Sequence, residues 1–217
     1  MLVVMKVLYD PLCGWCYGAT PAVRRLVADA DVHLALIPTG LFSGDGARPL
    51  NASFAEYAWA NDQRIAQLTG QRFSARYRDD VLGARGTLLD SGPATMALTA
   101  VALTDPGREL DALEAIQTAR YVDGRDVTAL DVLVDLLRSL GLEEPATRLL
   151  AADSELVAAV ESRTAEARKL LHAVGARGVP TIVVGEAPSQ RVIPSERLYG
   201  PFANLVHDLR VNPGELQ

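Results

Sequence analysis

The feature that most narrows the folds open to this chain is the order of three segments at its start: an apolar run, a tight cysteine turn and a helix. Leu2 to Tyr9 is rich in valine and leucine and stops at Asp10-Pro11, as a buried strand should. The turn is Cys13-Gly14-Trp15-Cys16. From there to Ala28 the apolar positions Trp15, Ala19, Ala22, Val23, Leu26 and Val27 recur at helical spacing. Val32 to Ile37 then alternates like a second strand before Pro38 and Gly40. Strand, crossover helix and strand make a βαβ unit, which demands parallel pairing and a right-handed crossover. The fold class is therefore α/β.

A mostly helical stretch follows, with helices predicted near 52–67, 92–104, 108–120, 128–139 and 154–173. Pro93 sits near one helix start, Thr128-Ala129-Leu130-Asp131 resembles a capping sequence, and Asp153-Ser154-Glu155 offers side-chain acceptors at another. Gly141 reads as a helix stop, and so does the Tyr121 to Asp126 stretch through Gly124. The pattern returns to β at Val179-Pro180-Thr181-Ile182-Val183-Val184, with Arg191-Val192-Ile193 as its hairpin partner after a turn around Pro188. Phe202 to Leu209 reads as a closing helix ended by Asn212-Pro213-Gly214. Residues 1–45 and 174–217 thus form one discontinuous domain, and 46–173 a helical insertion.

With 49% hydrophobic and 22% charged residues the chain can bury a core, so disorder is not its dominant state. The net charge of −6 gives no extended basic field, which argues against nucleic acid and anionic membrane partners. No apolar stretch approaches the roughly 20 residues needed to span a bilayer. Lys6 interrupts the N-terminal run, so that run reads as a strand rather than a secretory leader, and a cytoplasmic location is expected.

Only two cysteines occur, three positions apart. A bridge between near neighbours removes little unfolded-state entropy, so the pair is chemical rather than structural. Cys13 lies where the first N–H groups of a helix lack intrahelical acceptors, a setting that stabilises a thiolate relative to an ordinary cysteine with pKa about 8.5. Cys13 is therefore the expected nucleophile. Cys16, one helical turn further in, is the resolving thiol. Zinc would need about four ligands, and His33, His172 and His207 have no ligand-like spacing to the pair, so no metal is expected. Two cysteines buried as small hydrophobes form the bland alternative. Gly14 allows close backbone approach, and Trp15 forms either a flat rim for substrate or part of the core. Asp10 serves as a helix cap or as a proton relay for the thiols. Tyr57, Trp59, Tyr77 and Tyr121 line a groove or pack helices. Pro180, lacking an N–H, can begin a strand near a thiolate without disturbing the ladder.

These residues resemble the DsbA-like branch of the thioredoxin superfamily, and within it the cytoplasmic FrnE-like members. Tyr9-Asp10-Pro11-Leu12-Cys13-Gly14-Trp15-Cys16, Pro21 five residues further on, the distant Gly178-Val179-Pro180-Thr181 and a late Leu198-Tyr199-Gly200 carry the likeness. The resemblance implies a thioredoxin-like fold interrupted by a large helical insertion, and a cis Val179–Pro180 bond facing the cysteines. It also implies that Val179 pairs by its backbone with an extended substrate. The implied activity is thiol-disulfide exchange or isomerisation through a mixed disulfide, acting on peptides or small thiols. No tightly bound cofactor is implied beyond the Cys13–Cys16 disulfide itself, with glutathione as a redox partner and a homodimer as one assembly. Kappa-class glutathione transferases and 2-hydroxychromene-2-carboxylate isomerases share the layout but carry serine where Cys13 stands, which makes a glutathione-dependent transferase or isomerase the second reading. A redox-sensing binding module is the third.

Overall fold

The computed structural model describes residues 3–29 and 32–210. Strand β1 (Val3–Tyr9) is central to the sheet, and it buries Met5, Val7, Leu8 and Tyr9. Helix α1 (Gly14–Asp29) crosses from it to β2 (Val32–Pro38), which pairs parallel to β1 from Val3 opposite Val32 to Tyr9 opposite Pro38. On the other edge of β1 lies β5 (Thr181–Val184), antiparallel, and beyond it β6 (Arg191–Ile193). The sheet order β2-β1-β5-β6 joins the βαβ unit to the predicted hairpin. This is the thioredoxin-like arrangement that the resemblance implied.

Alternation along β1 divides the core between the two faces of the sheet. Met5, Val7 and Tyr9 pack with Val23 and Leu26 of α1, while Leu8 points to the opposite face with Ile37, Val183 and Ala167. Ala167 belongs to α7 (Ser154–Ala173), so the last helix of the long helical stretch covers that second face. The closing helix α8 (Phe202–Arg210) adds Leu205 and Leu209 to the first. Asn212-Pro213-Gly214, read as its end, lies outside the described residues.

Between β2 and α7 run a two-residue ladder of β3 (Arg48–Pro49) with β4 (Leu88–Leu89), then α2 (Ala52–Thr69), α3 (Gly92–Thr104), α4 (Glu109–Tyr121), α5 (Leu130–Ser139) and α6 (Glu143–Ala151). The five predicted helices are present. Helix α6 is not among them, since Gly141 stops α5 with φ +75° and the chain re-enters a helix after only Leu142. A π-helical turn, Tyr77–Leu82, also escaped the sequence. One expected cap is corrected and another is present. Thr128 does not cap α5: its N–H and hydroxyl both bond Asp126 Oδ1 in a tight turn, and Ala129 holds the cap position without a side-chain bond. Asp153 does cap α7, accepting from the Leu156 N–H at 2.8 Å. Among the described residues no helix is long and apolar enough to cross a membrane.

Candidate active site

The register of β5 on β1 builds the site. Thr181 stands opposite Leu8, so the segment just before it, Val179-Pro180, is carried beside the turn that follows β1. Thr181 also closes that segment, donating its hydroxyl to the Gly178 carbonyl at 2.7 Å. The Val179–Pro180 bond is cis, as the resemblance implied.

Cys13 immediately precedes α1, its carbonyl accepting the first helical bond from Tyr17 N–H at 3.0 Å. Its thiol Sγ lies 3.8 Å from the Val179 carbonyl oxygen. Both cysteines are free thiols and both are buried, at 8% exposure for Cys13 and 4% for Cys16. Cys16 is held neutral: burial pushes its thiol well above the ordinary range, and the adjacent Cys13 adds to the effect. The structure therefore brings together Cys13, Cys16, Val179 and Pro180.

Trp15 is half-buried and faces outward from the turn, its carbonyl accepting from Tyr199 Oη at 3.0 Å with the two rings edge-on at 5.2 Å. The Arg64 guanidinium stands 6.0 Å over the Trp15 ring. These residues, with Leu68, Val179 and Glu196, wall an open cavity of about 410 Å³ beside the thiols. Across Val179 lies a second cleft of about 580 Å³, lined by Gly40, Leu41, Ser43, Arg168 and Arg177. Burial raises the Tyr199 hydroxyl above the normal phenol range, and the nearby Cys16 and Cys13 push it the same way. Tyr199 stays protonated and can donate. Arg64 and Glu196 carried no sequence signal, because exposed charges on a helix and a loop look alike wherever they stand.

Asp10 lies next to the site but does not cap α1. Its Oδ1 accepts from the Leu12 N–H at 2.9 Å, and its Oδ2 from the Phe42 N–H at 3.1 Å and the Ser91 hydroxyl at 2.7 Å. The fully buried carboxyl thus ties the cysteine turn to the loop after β2 and to the start of α3. Burial raises its proton affinity, and these donors oppose the rise. His33, His172 and His207 stand on β2, α7 and α8, and among the described residues no cluster of three or more potential ligands could hold a metal.

Gly14 is required by a close approach. A Cβ there would lie 2.4 Å from Oδ1 of Asp62 on α2. Asp62 was not singled out by sequence, although its phase shows it: Ala55, Ala58, Trp59, Asp62, Ile65 and Ala66 share one stripe of α2, and the aspartate is the lone charge in it. Tyr77 and Tyr121 pack in the aromatic cluster below the cysteine turn, and Tyr121 Oη donates to the Leu12 carbonyl at 2.8 Å. Tyr57 is exposed and stands apart.

Comparison with known proteins finds the same fold over nearly the whole chain. The cytosolic disulfide reductase DsbM from Pseudomonas aeruginosa is 33% identical, with 95% of this chain and 98% of that one covered at a TM-score of 0.83. The same protein with GSH superposes at 0.82 over 96% and 100% of the two chains. A candidate protein disulfide isomerase from Nitrosomonas europaea shares the fold at 22% identity, covering 97% and 100%, with a TM-score of 0.76. No curated protein matches the sequence. The DSBA-like thioredoxin domain matches residues 4–199, and the chain belongs to that family of thiol-disulfide oxidoreductases.

Proposed function

We propose that the protein reduces disulfides through the Cys13–Cys16 dithiol. The observation that carries this reading is the asymmetry of the pair: Cys13 Sγ lies 3.8 Å from the carbonyl of Val179, a residue that lines both clefts, while Cys16 is the more buried and is held as a neutral thiol. Cys13 as thiolate attacks one sulfur of a substrate disulfide R–S–S–R′, forming Cys13–S–S–R and releasing R′S⁻. Cys16 then attacks Cys13 Sγ, forming the intramolecular disulfide, and its proton leaves with the second half as RSH. The substrate gains two electrons and the dithiol loses them.

Val179 binds rather than reacts, offering its backbone to an extended segment of substrate. Trp15 and Tyr199 give the cavity an apolar wall, and Arg64 and Glu196 give it opposite charges on separate elements. A small zwitterionic thiol suits that lining. Glutathione is therefore the proposed reductant, two molecules being oxidised to their disulfide for each turnover. The glutathione complex of the cytosolic reductase above supports this reading, and that relative's cytosolic setting supports a cytoplasmic site of action.

A redox titration in glutathione buffers, read by alkylation and mass spectrometry, tests the reading. The expected result is a reversible two-electron transition nearer the thioredoxin end of the scale, about −270 mV, than the oxidising end near −120 mV. Cys13→Ser should abolish exchange, and Cys16→Ser should trap a mixed disulfide on Cys13. If Cys13 instead carries one glutathione and no internal disulfide forms, a transferase or isomerase of the glutathione-dependent kind replaces the dithiol mechanism.

A further inference from the structure

Beneath the cysteine turn lies a buried polar cluster that the exchange chemistry does not use. Asp62 on α2 is 4% exposed, and its Oδ2 accepts from Tyr77 Oη at 2.9 Å. Its other oxygen rests against Gly14, so closely that no side chain fits between them. Tyr77 opens the π-helical turn, an irregular form of helix that recurs at functional sites. From α4 comes Arg120, 2% exposed, whose guanidinium lies 5.6 Å from the Tyr77 ring centre and 5.7 Å from that of Tyr121. Among the described residues, Arg120 Nε has no hydrogen-bond partner. A buried aspartate, a buried arginine with a free donor and two tyrosines are an expensive way to fill a core.

Their position suggests what they do. Gly14 is the first residue of α1, and Cys13 caps that helix. The uncompensated N–H groups of a helix start carry about half a positive charge, and they favour one nearby anion. Here two candidate anions share them: the Cys13 thiolate and the Asp62 carboxylate. Each opposes ionisation of the other. The titratable and charged groups acting on Asp62 are Tyr77 from the π turn and Arg120 from α4; Tyr121 of α4 senses both Asp62 and Cys13, and Gly14, which Asp62 touches, directly follows Cys13 at the head of α1.

Given the dithiol exchange proposed above, on which this assignment rests, we propose that Asp62 is a positioning residue whose proton is linked to the redox state of Cys13 and Cys16. When the pair is a disulfide, no thiolate competes and Asp62 ionises. When the pair is reduced and Cys13 is a thiolate, Asp62 holds its proton. Reduction therefore draws an additional proton onto Asp62 over the pH range where the two states differ, by reciprocal linkage. An ionised Asp62 disfavours the thiolate and makes the dithiol the stronger reductant. Burial, opposed by the Tyr77 bond and Arg120, raises the Asp62 carboxyl to about 7, which sets that range near neutrality.

The test is the reduction potential of the full chain from pH 5.5 to 8.5, together with the ultraviolet titration of the Cys13 thiolate. The wild type should show the additional proton uptake near neutrality. Asp62→Asn, confirmed as folded by circular dichroism, should lose it and raise the thiolate-to-thiol ratio of Cys13 at pH 8 by roughly tenfold, the scale of a charge removed from a partly buried neighbour. Tyr77→Phe removes a bond that favours the ionised carboxylate, so the same uptake should persist but move to higher pH. A purely structural Asp62 would not produce that displacement. If Asp62→Asn and Tyr77→Phe both retrace the wild-type curve, the linkage is overturned while the dithiol stands. Absence of any two-electron couple in the wild type would instead overturn the dithiol reading itself.

Discussion

At the residue scale, Asp62 shows how a fold can hold a group in an unfavourable state beside a reactive one. Its carboxyl binds a proton more tightly in the folded chain than an ordinary aspartate does, near 7 rather than 3.8, and burial is the main cause. The sign for stability follows. Below the unfolded value both states are protonated and nothing is lost; as pH rises toward 7 the unfolded chain releases the proton and the native state does not, so folding weakens across that interval. Asp62→Asn removes the penalty while keeping an acceptor for Tyr77. It should therefore gain about 2 kcal/mol at pH 8.5 over its difference from wild type at pH 4, less than the roughly 4 kcal/mol that the full displacement represents. Urea titrations at the two pH values measure this. An equal difference at both would show that the carboxyl is not desolvated. The redox pair itself was legible because C-x-x-C between strand and helix is a local pattern, whereas Asp62, Arg64, Arg120 and Glu196 reach the site only through tertiary packing of α2, α4 and the loop before α8.

At the scale of elements, α1 shows how the helical stretch after β2 is fastened to the redox helix. Pro21 lies inside α1 and lacks the N–H that would have bonded Tyr17, leaving that carbonyl without its helical donor. Gln71, just beyond α2, supplies one: its Nε2 donates to the Tyr17 oxygen at 3.0 Å. Gln71→Ala should cost about 1 kcal/mol, the worth of such a bond plus an exposed carbonyl, without altering the cysteine chemistry. Thermal melts alongside exchange assays separate the two effects. A second fastening crosses from α7 to the sheet. Arg163 pairs with Glu109 at 2.6 Å and donates to the Leu36 carbonyl at 2.8 Å, and Tyr9 Oη approaches the same carboxylate at 3.4 Å. Burial raises the Glu109 carboxyl and Arg163 restrains it. Arg163→Ala should therefore cost about 3–5 kcal/mol at pH 8, where a buried carboxylate is left unpaired, and less at pH 5, where Glu109 can take up a proton. A loss independent of pH would assign the effect to packing alone. The predicted strands and five helices followed periodicity, which is local. Helix α6 was hidden because Gly141 punctuates correctly but gives no sign that the helix resumes, and the Thr128 cap failed because its hydroxyl and N–H are turned back onto the Asp126 carboxylate.

At the scale of the whole molecule, the sequence divides into a discontinuous unit and a long helical stretch, yet the buried side chains draw no such seam. One apolar cluster runs from Val7 of β1 through Leu26 of α1, Leu98 of α3, Ile116 of α4, Leu133 of α5 and Leu149 of α6 to Ile182 of β5 and Leu205 of α8. Cys13 and Cys16 belong to it. Helix α1 is therefore clasped between its own sheet and α2 and α4, and neither part can shed the other without exposing the site. We propose that the chain unfolds as one cooperative unit despite its divided sequence. Calorimetry of the reduced protein decides between one unit and two. At about 0.7 kcal/mol per residue near 60 °C, a single transition should show a calorimetric and van't Hoff enthalpy both near 150 kcal/mol, whereas residues 46–173 melting alone would give a van't Hoff value of roughly 90. Agreement of the two enthalpies, with thiol reactivity of Cys16 rising at the same temperature, would show that the dithiol is sheltered by the entire fold. An earlier rise in Cys16 reactivity would place a local opening of α2 or the π turn ahead of global unfolding, and would make that opening the route by which large substrates reach the pair.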